Sequence, residues 1–134
     1  MSAILDDLQI RNAMIDNYNN YAQGLDSKDW AMVRNCFADK VCIDYGGISD
    51  PTGSPDVARN ADDWMPTLQG VINGFNITRH TITNHRPVIT ADSISCTAYL
   101  IADHVIFPNP EMPIVSPEDV VTIVGEYTNW YERD

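Results

Sequence analysis

Ser95-Cys96-Thr97-Ala98-Tyr99-Leu100-Ile101-Ala102-Asp103-His104-Val105-Ile106-Phe107 is the stretch whose reading decides the fold. It is rich in β-branched and aromatic residues and free of Gly and Pro, the composition of a long strand. Side chains alternate across a strand, so Cys96, Ala98, Leu100, Ala102, His104 and Ile106 share one face and Thr97, Tyr99 and Ile101 the other. The even set is the more uniformly apolar and is the expected inward face. It puts His104 in apolar company.

Two further strands are expected on either side, from about His80 to Thr90 and from Val120 to Tyr131. Ala91-Asp92 and a proline-rich loop from Pro108 to Pro117 join the three into an antiparallel meander. Upstream the periodicity changes. Ile4, Leu8, Ile15, Tyr18, Ala22 and Leu25 fall on one stripe of a long helix, and Asp26-Ser27-Lys28-Asp29 reads as the start of a second, with Trp30, Val33 and Phe37 on its buried face. Val41-Cys42-Ile43-Asp44-Tyr45 reads as a strand closed by Gly46-Gly47. Ser54-Pro55-Asp56 supplies a cap, a first-turn proline and a first-turn acid for a third helix to about Leu68, before Gly70 to Gly74 breaks the chain. Helices first and a sheet afterwards imply an α+β domain, with helices covering one face of a bent sheet that encloses a pocket.

The 134 residues fit a single domain, 1–134, with 44% hydrophobic and 20% charged residues, an ordinary globular composition. Eight Lys and Arg against 19 Asp and Glu give a formal charge of −11, whose field repels nucleic-acid backbones and anionic membranes. Neither is an expected partner. The N-terminus lacks a basic region followed by an apolar run, and no apolar stretch is long enough to span a bilayer, so a cytoplasmic location is expected. Cys36, Cys42 and Cys96 show no C-x-x-C spacing and read as buried small hydrophobes.

Strict alternation along the first long strand puts His80, Ile82, Asn84 and Arg86 on one face and His85 on the other. An inward histidine beside small residues suits acid/base chemistry, because desolvation and a neighbouring carboxylate bring its pKa near working pH. It equally suits a buried ring satisfied by a backbone carbonyl. Asp26 likewise has two readings, a helix cap and a carboxylate facing the pocket. Metal spacing is absent around His80, His104, Asp26 and Asp103, and no G-x-S-x-G or G-x-G-x-x-G is present, so no metal, nucleophile elbow or nucleotide site is indicated.

Leu25-Asp26-Ser27-Lys28-Asp29-Trp30, then Val33-Arg34-Asn35-Cys36 and Ile43-Asp44-Tyr45, resemble scytalone dehydratase and its SnoaL-like relatives. Thr78-Arg79-His80, Ile101-Ala102-Asp103-His104 and Asn129-Trp130-Tyr131 extend the resemblance over nearly the whole chain. It implies a cone-shaped α+β barrel of the nuclear transport factor type with a cofactor-free pocket. It also implies roles: Asp26 polarises His80, the base that removes a proton next to a carbonyl; His104 assists the departing hydroxyl; Tyr45 holds the substrate carbonyl. Tyr21 resembles a tyrosine of related bile-acid dehydratases. Gly125 and Tyr127 stand where scytalone dehydratase has a substrate-binding serine and asparagine, so a different substrate is implied. Asp134 precedes the Gly-Trp strand that commonly closes such a barrel, which would leave one edge open.

The function expected is a dehydratase acting on a small hydrophobic cyclic carbonyl compound. A ketosteroid-isomerase-like or polyketide-cyclase-like enzyme and a non-catalytic ligand-binding module are the alternatives. Thr97, Tyr99 and Ile101 make the outer sheet face too apolar to stay wet, so self-association is expected, as a trimer or dimer by the resemblance.

Overall fold

In the computed structural model, which describes residues 3–45 and 56–133, the elements run α1 (Ala3–Ser27), α2 (Trp30–Arg34), β1 (Lys40–Val41), β2 (Arg59–Asn60), α3 (Ala61–Asn73), β3 (Ile77–Ile89), β4 (Ile94–Val105) and β5 (Val120–Tyr131). β3, β4 and β5 form the expected antiparallel meander in that order, and β1 and β2 pair separately. The even residues of β4 from Cys96 to His104 are buried beneath the helices, whereas Tyr99 and Ile101 face outward.

Met14, Tyr18, Tyr21 and Leu25 form the buried face of α1, while Leu8, assigned to that stripe from its spacing, is exposed. Tyr18 locks the helix onto the sheet: its hydroxyl lies 2.6 Å from the Cys96 carbonyl oxygen and 3.2 Å from that of Tyr127. α1 continues two residues past Leu25 and closes with a left-handed residue, Lys28, at φ 56°. The Asp29 amide donates to the Gly24 carbonyl at 2.9 Å and the Lys28 amide to that of Leu25 at 3.1 Å, the paired bonds that satisfy carbonyls at a helix end. The Lys28 ammonium reaches onward to the Phe75 carbonyl at 2.8 Å. The second helix is therefore capped by Asp29, whose carboxylate accepts from the Met32 amide, and Asp26 is not its cap.

Gly24 is where α1 and α2 touch. A Cβ there would lie 2.7 Å from Val33 Cγ2 and 3.1 Å from the Val33 nitrogen.

Three other expectations are corrected. The strand expected over Val41 to Tyr45 is reduced to Lys40–Val41, which leaves Cys42, expected to be buried, exposed beyond its end, and Gly46-Gly47 lies outside the described residues. The third helix starts at Ala61, not at the Ser54-Pro55-Asp56 signal, of which Ser54 and Pro55 lie outside the described residues. It runs through Gly70 to Asn73, because the apolar face of Trp64, Met65, Leu68 and Ile72 is buried along its whole length. Packing of that stripe outweighs the glycine, which costs a helix only about 1 kcal/mol.

The third correction concerns β3. Thr83 pairs with Tyr99 but Arg86 with Thr97, so three steps on β3 span two on β4. Asn84 absorbs the extra residue at φ 55°, a conformation asparagine tolerates better than most residues. The bulge inverts the alternation beyond it. His85 consequently faces inward with His80, where its ring meets Tyr18 edge-on at 5.3 Å.

Candidate active site

Asp26 sits in the last turn of α1, where the helix carbonyls disfavour a negative charge. β3 supplies the compensation. The Thr78 hydroxyl donates to Asp26 Oδ1 at 2.9 Å, the His80 amide donates to Oδ2 at 3.0 Å, and His80 Nδ1 lies 2.7 Å from Oδ1. Burial pushes the Asp26 pKa up, but the bonds from the His80 ring, the His80 amide and Thr78, with the charge of the imidazole, outweigh it and hold the carboxyl below its ordinary value. The carboxylate can only accept, so Nδ1 of His80 carries a hydrogen, and when the ring is neutral the lone pair lies on Nε2.

His104 faces His80 across the paired strands. Their ring centroids are 5.7 Å apart at 78°, and Phe75 closes the other side of His104 at 5.0 Å. His104 Nδ1 lies 3.3 Å from the Val121 carbonyl oxygen. An oxygen of that kind only accepts, so this ring too leaves Nε2 for chemistry. One nitrogen of His104 is thus satisfied by a backbone carbonyl, and the other is not committed to it.

Tyr21 and Tyr45 are brought together as a second group, with hydroxyl oxygens 3.0 Å apart. Tyr45 stacks on Trp64 with centroids 5.7 Å apart and a 25° tilt, and Tyr127 meets both tyrosines edge-on. Burial raises the pKa of each tyrosine, so the hydroxyls remain protonated donors at neutral pH. Neither tyrosine hydrogen-bonds Asp26, His80 or His104. The two groups are joined by Ile82, two residues beyond His80 on the same face, which packs against the Tyr21 and Tyr18 sides of the core alike.

Asp103 points to the outer face, where it accepts from Thr122 at 2.6 Å. Among the described residues no cluster of His, Cys, Asp and Glu is arranged to hold a metal ion. No described helix is long and apolar enough to cross a membrane. An open cleft of about 390 Å³ between α1 and α2, lined by residues including Asn17, Asn20, Asp29 and Cys36, contains none of the five expected residues.

Sequence reasoning missed Thr78, Phe75, Trp64 and Tyr127. Thr78 was within reach, because it precedes His80 by two and shares its face. Tyr127 was noted as a departure in the last strand and not as a member of the aromatic group. Phe75 and Trp64 carry no local signal, since their positions follow from how α3 docks.

The fold has counterparts of known structure. The Kfla4162 protein of Kribbella flavida superposes with a TM-score of 0.72 at 26% identity, over 92% of this chain and 80% of that one. A Streptomyces avermitilis protein of the NTF2-like family, provisionally called a dehydratase, gives 0.67 at 10% identity over 95% and 87%. A Novosphingobium aromaticivorans protein, provisionally called an aromatic ring hydroxylase, gives 0.64 at 19% over 92% and 78%. No curated protein matches the chain significantly. The family description of the SnoaL-like domain matches residues 6–134, and this establishes that the chain belongs to the SnoaL-like family.

Proposed function

We propose that the chain is a cofactor-independent dehydratase of small hydrophobic cyclic carbonyl compounds. The observation that carries the proposal is the 2.7 Å contact of Asp26 with His80 Nδ1, with His104 facing the same imidazole. Asp26 fixes the tautomer and stabilises positive charge on the ring, so His80 Nε2 is the base that takes a proton α to the carbonyl. The electrons of that C–H bond move onto the carbonyl oxygen as an enolate. Tyr45, paired with Tyr21, donates to that oxygen. Collapse of the enolate expels the β-hydroxyl, which leaves as water with the Nε2 proton of the imidazolium form of His104, whose Nδ1–H stays on the Val121 carbonyl. The provisional name of the Streptomyces avermitilis relative agrees with this chemistry, and that of the Novosphingobium aromaticivorans relative agrees with an aromatic or cyclic substrate.

The test is turnover of cyclic β-hydroxyketones, followed by enone absorbance and by release of water. His80→Ala should lower the rate by roughly 10²–10⁴, as loss of a general base does. A product of unchanged mass would replace dehydration with isomerisation or cyclisation. No turnover by the unaltered protein, with binding intact, would make it a ligand-binding module.

A further inference from the structure

Trp64 is 2% exposed, and its Nε1 is closed off from solvent with no hydrogen-bond partner among the described residues. A buried indole N–H without an acceptor costs free energy that neighbouring packing does not return. The same ring stacks on Tyr45, and the Arg59 guanidinium carbon lies 4.8 Å from its centroid. The ring of Trp64 is thus packed against an aromatic and a cationic neighbour while its one polar atom is left over. The tyrosine pair has a similar surplus. Tyr21 also hydrogen-bonds the Tyr127 hydroxyl, and three hydroxyls joined by two bonds use two of their three hydrogens, so one O–H remains for an acceptor outside the group.

The cluster therefore concentrates hydrogen-bond donors in apolar surroundings, and both tyrosines stay protonated because burial raises their pKa values. What it lacks is an oxygen that accepts and brings no hydrogen of its own. A hydrocarbon would leave the indole hydrogen unsatisfied, and a carboxylate would have to lose its hydration in a molecule of formal charge −11. A neutral carbonyl on a flat ring meets both requirements.

We infer that Trp64 Nε1 is a ligand-binding donor that, with the Tyr21–Tyr45 pair, receives the carbonyl oxygen of a flat cyclic ketone. The inference rests on the dehydratase reading for the place of that oxygen relative to His80, and it adds a residue that selects for the oxygen itself. In the reaction the same N–H stabilises the enolate, whose charge is greatest at that atom.

The test uses 2-tetralone and its oxygen-free counterpart tetralin on the whole chain. The indole resonances of Trp30, Trp64 and Trp130 are followed by ¹⁵N-correlated NMR and assigned by single Trp→Phe substitutions. The Trp64 indole proton should move downfield on addition of 2-tetralone and stay in place with tetralin. Trp64→Phe should weaken 2-tetralone about tenfold, the worth of one hydrogen bond, and leave tetralin affinity unchanged. Absence of a downfield shift up to the solubility limit of the ketone overturns the inference, as does equal weakening of both ligands. Because the readout is binding, failure of the catalytic reading, with His80→Ala as active as the unaltered protein, would be seen separately.

Discussion

Asp26 shows how one side chain can be made a reliable anion in an unfavourable place. It lies at the negative end of α1 and its side chain is largely out of water, yet it receives donors from Thr78 and twice from His80. Thr78→Val should raise the Asp26 pKa and cost about 1 kcal/mol, whereas Thr78→Ser should restore both; a carboxyl ¹³C titration with urea denaturation measures the pair. A folded-state pKa below the ordinary 3.8 also fixes the sign of the acid response. The unfolded chain takes up this proton at higher pH than the folded one, so the contribution of Asp26 is full above the ordinary carboxylate range and is lost as pH falls through the depressed folded value. Stability of Asp26→Asn measured against pH should lack that part of the acid decline.

At the scale of elements, the close passage of α1 over α2 makes Gly24 irreplaceable by anything with a Cβ. Gly24→Ala should destabilise the fold by about 1–3 kcal/mol in chemical denaturation, because Val33 is fully buried and has nowhere to go. Element boundaries also explain what could be read from the chain. The inward face of β4 was legible because alternation persists from Cys96 to His104. The face of His85 was not, because alternation carries no notice of a single bulged residue; only an asparagine at position 84, suited to positive φ, hinted at it. Asp26 and Asp29 both look like caps in the sequence, and the choice between them was made by the left-handed turn at Lys28 and by the donors waiting on β3. The pairing of Asp26, His80 and His104 was anticipated from resemblance, since residues that far apart in the chain share no local pattern.

The whole molecule presents an uneven exterior. On the outer sheet face Val124 is 74% and Trp130 72% exposed, with Ile101 and Tyr99 beside them on β4. Arg86 bridges this face by pairing with Glu126 at 3.0 Å and lying 4.6 Å from the Tyr99 ring centre. Such a surface is expected to be covered by a second copy of the chain. Light scattering should report an oligomer that Val124→Glu shifts toward monomer, and a monomer at micromolar concentration in the unaltered protein would refute the expectation.

The bond from the Lys28 ammonium to the Phe75 carbonyl ties the end of the first helix to the segment leading into the strand that bears the base. Acid and imidazole are thereby mounted on a single hinge plate, so local opening exposes them in one event. Amide deuterium uptake at Asp29 and at His80 should then follow one common rate and slow or quicken together with temperature.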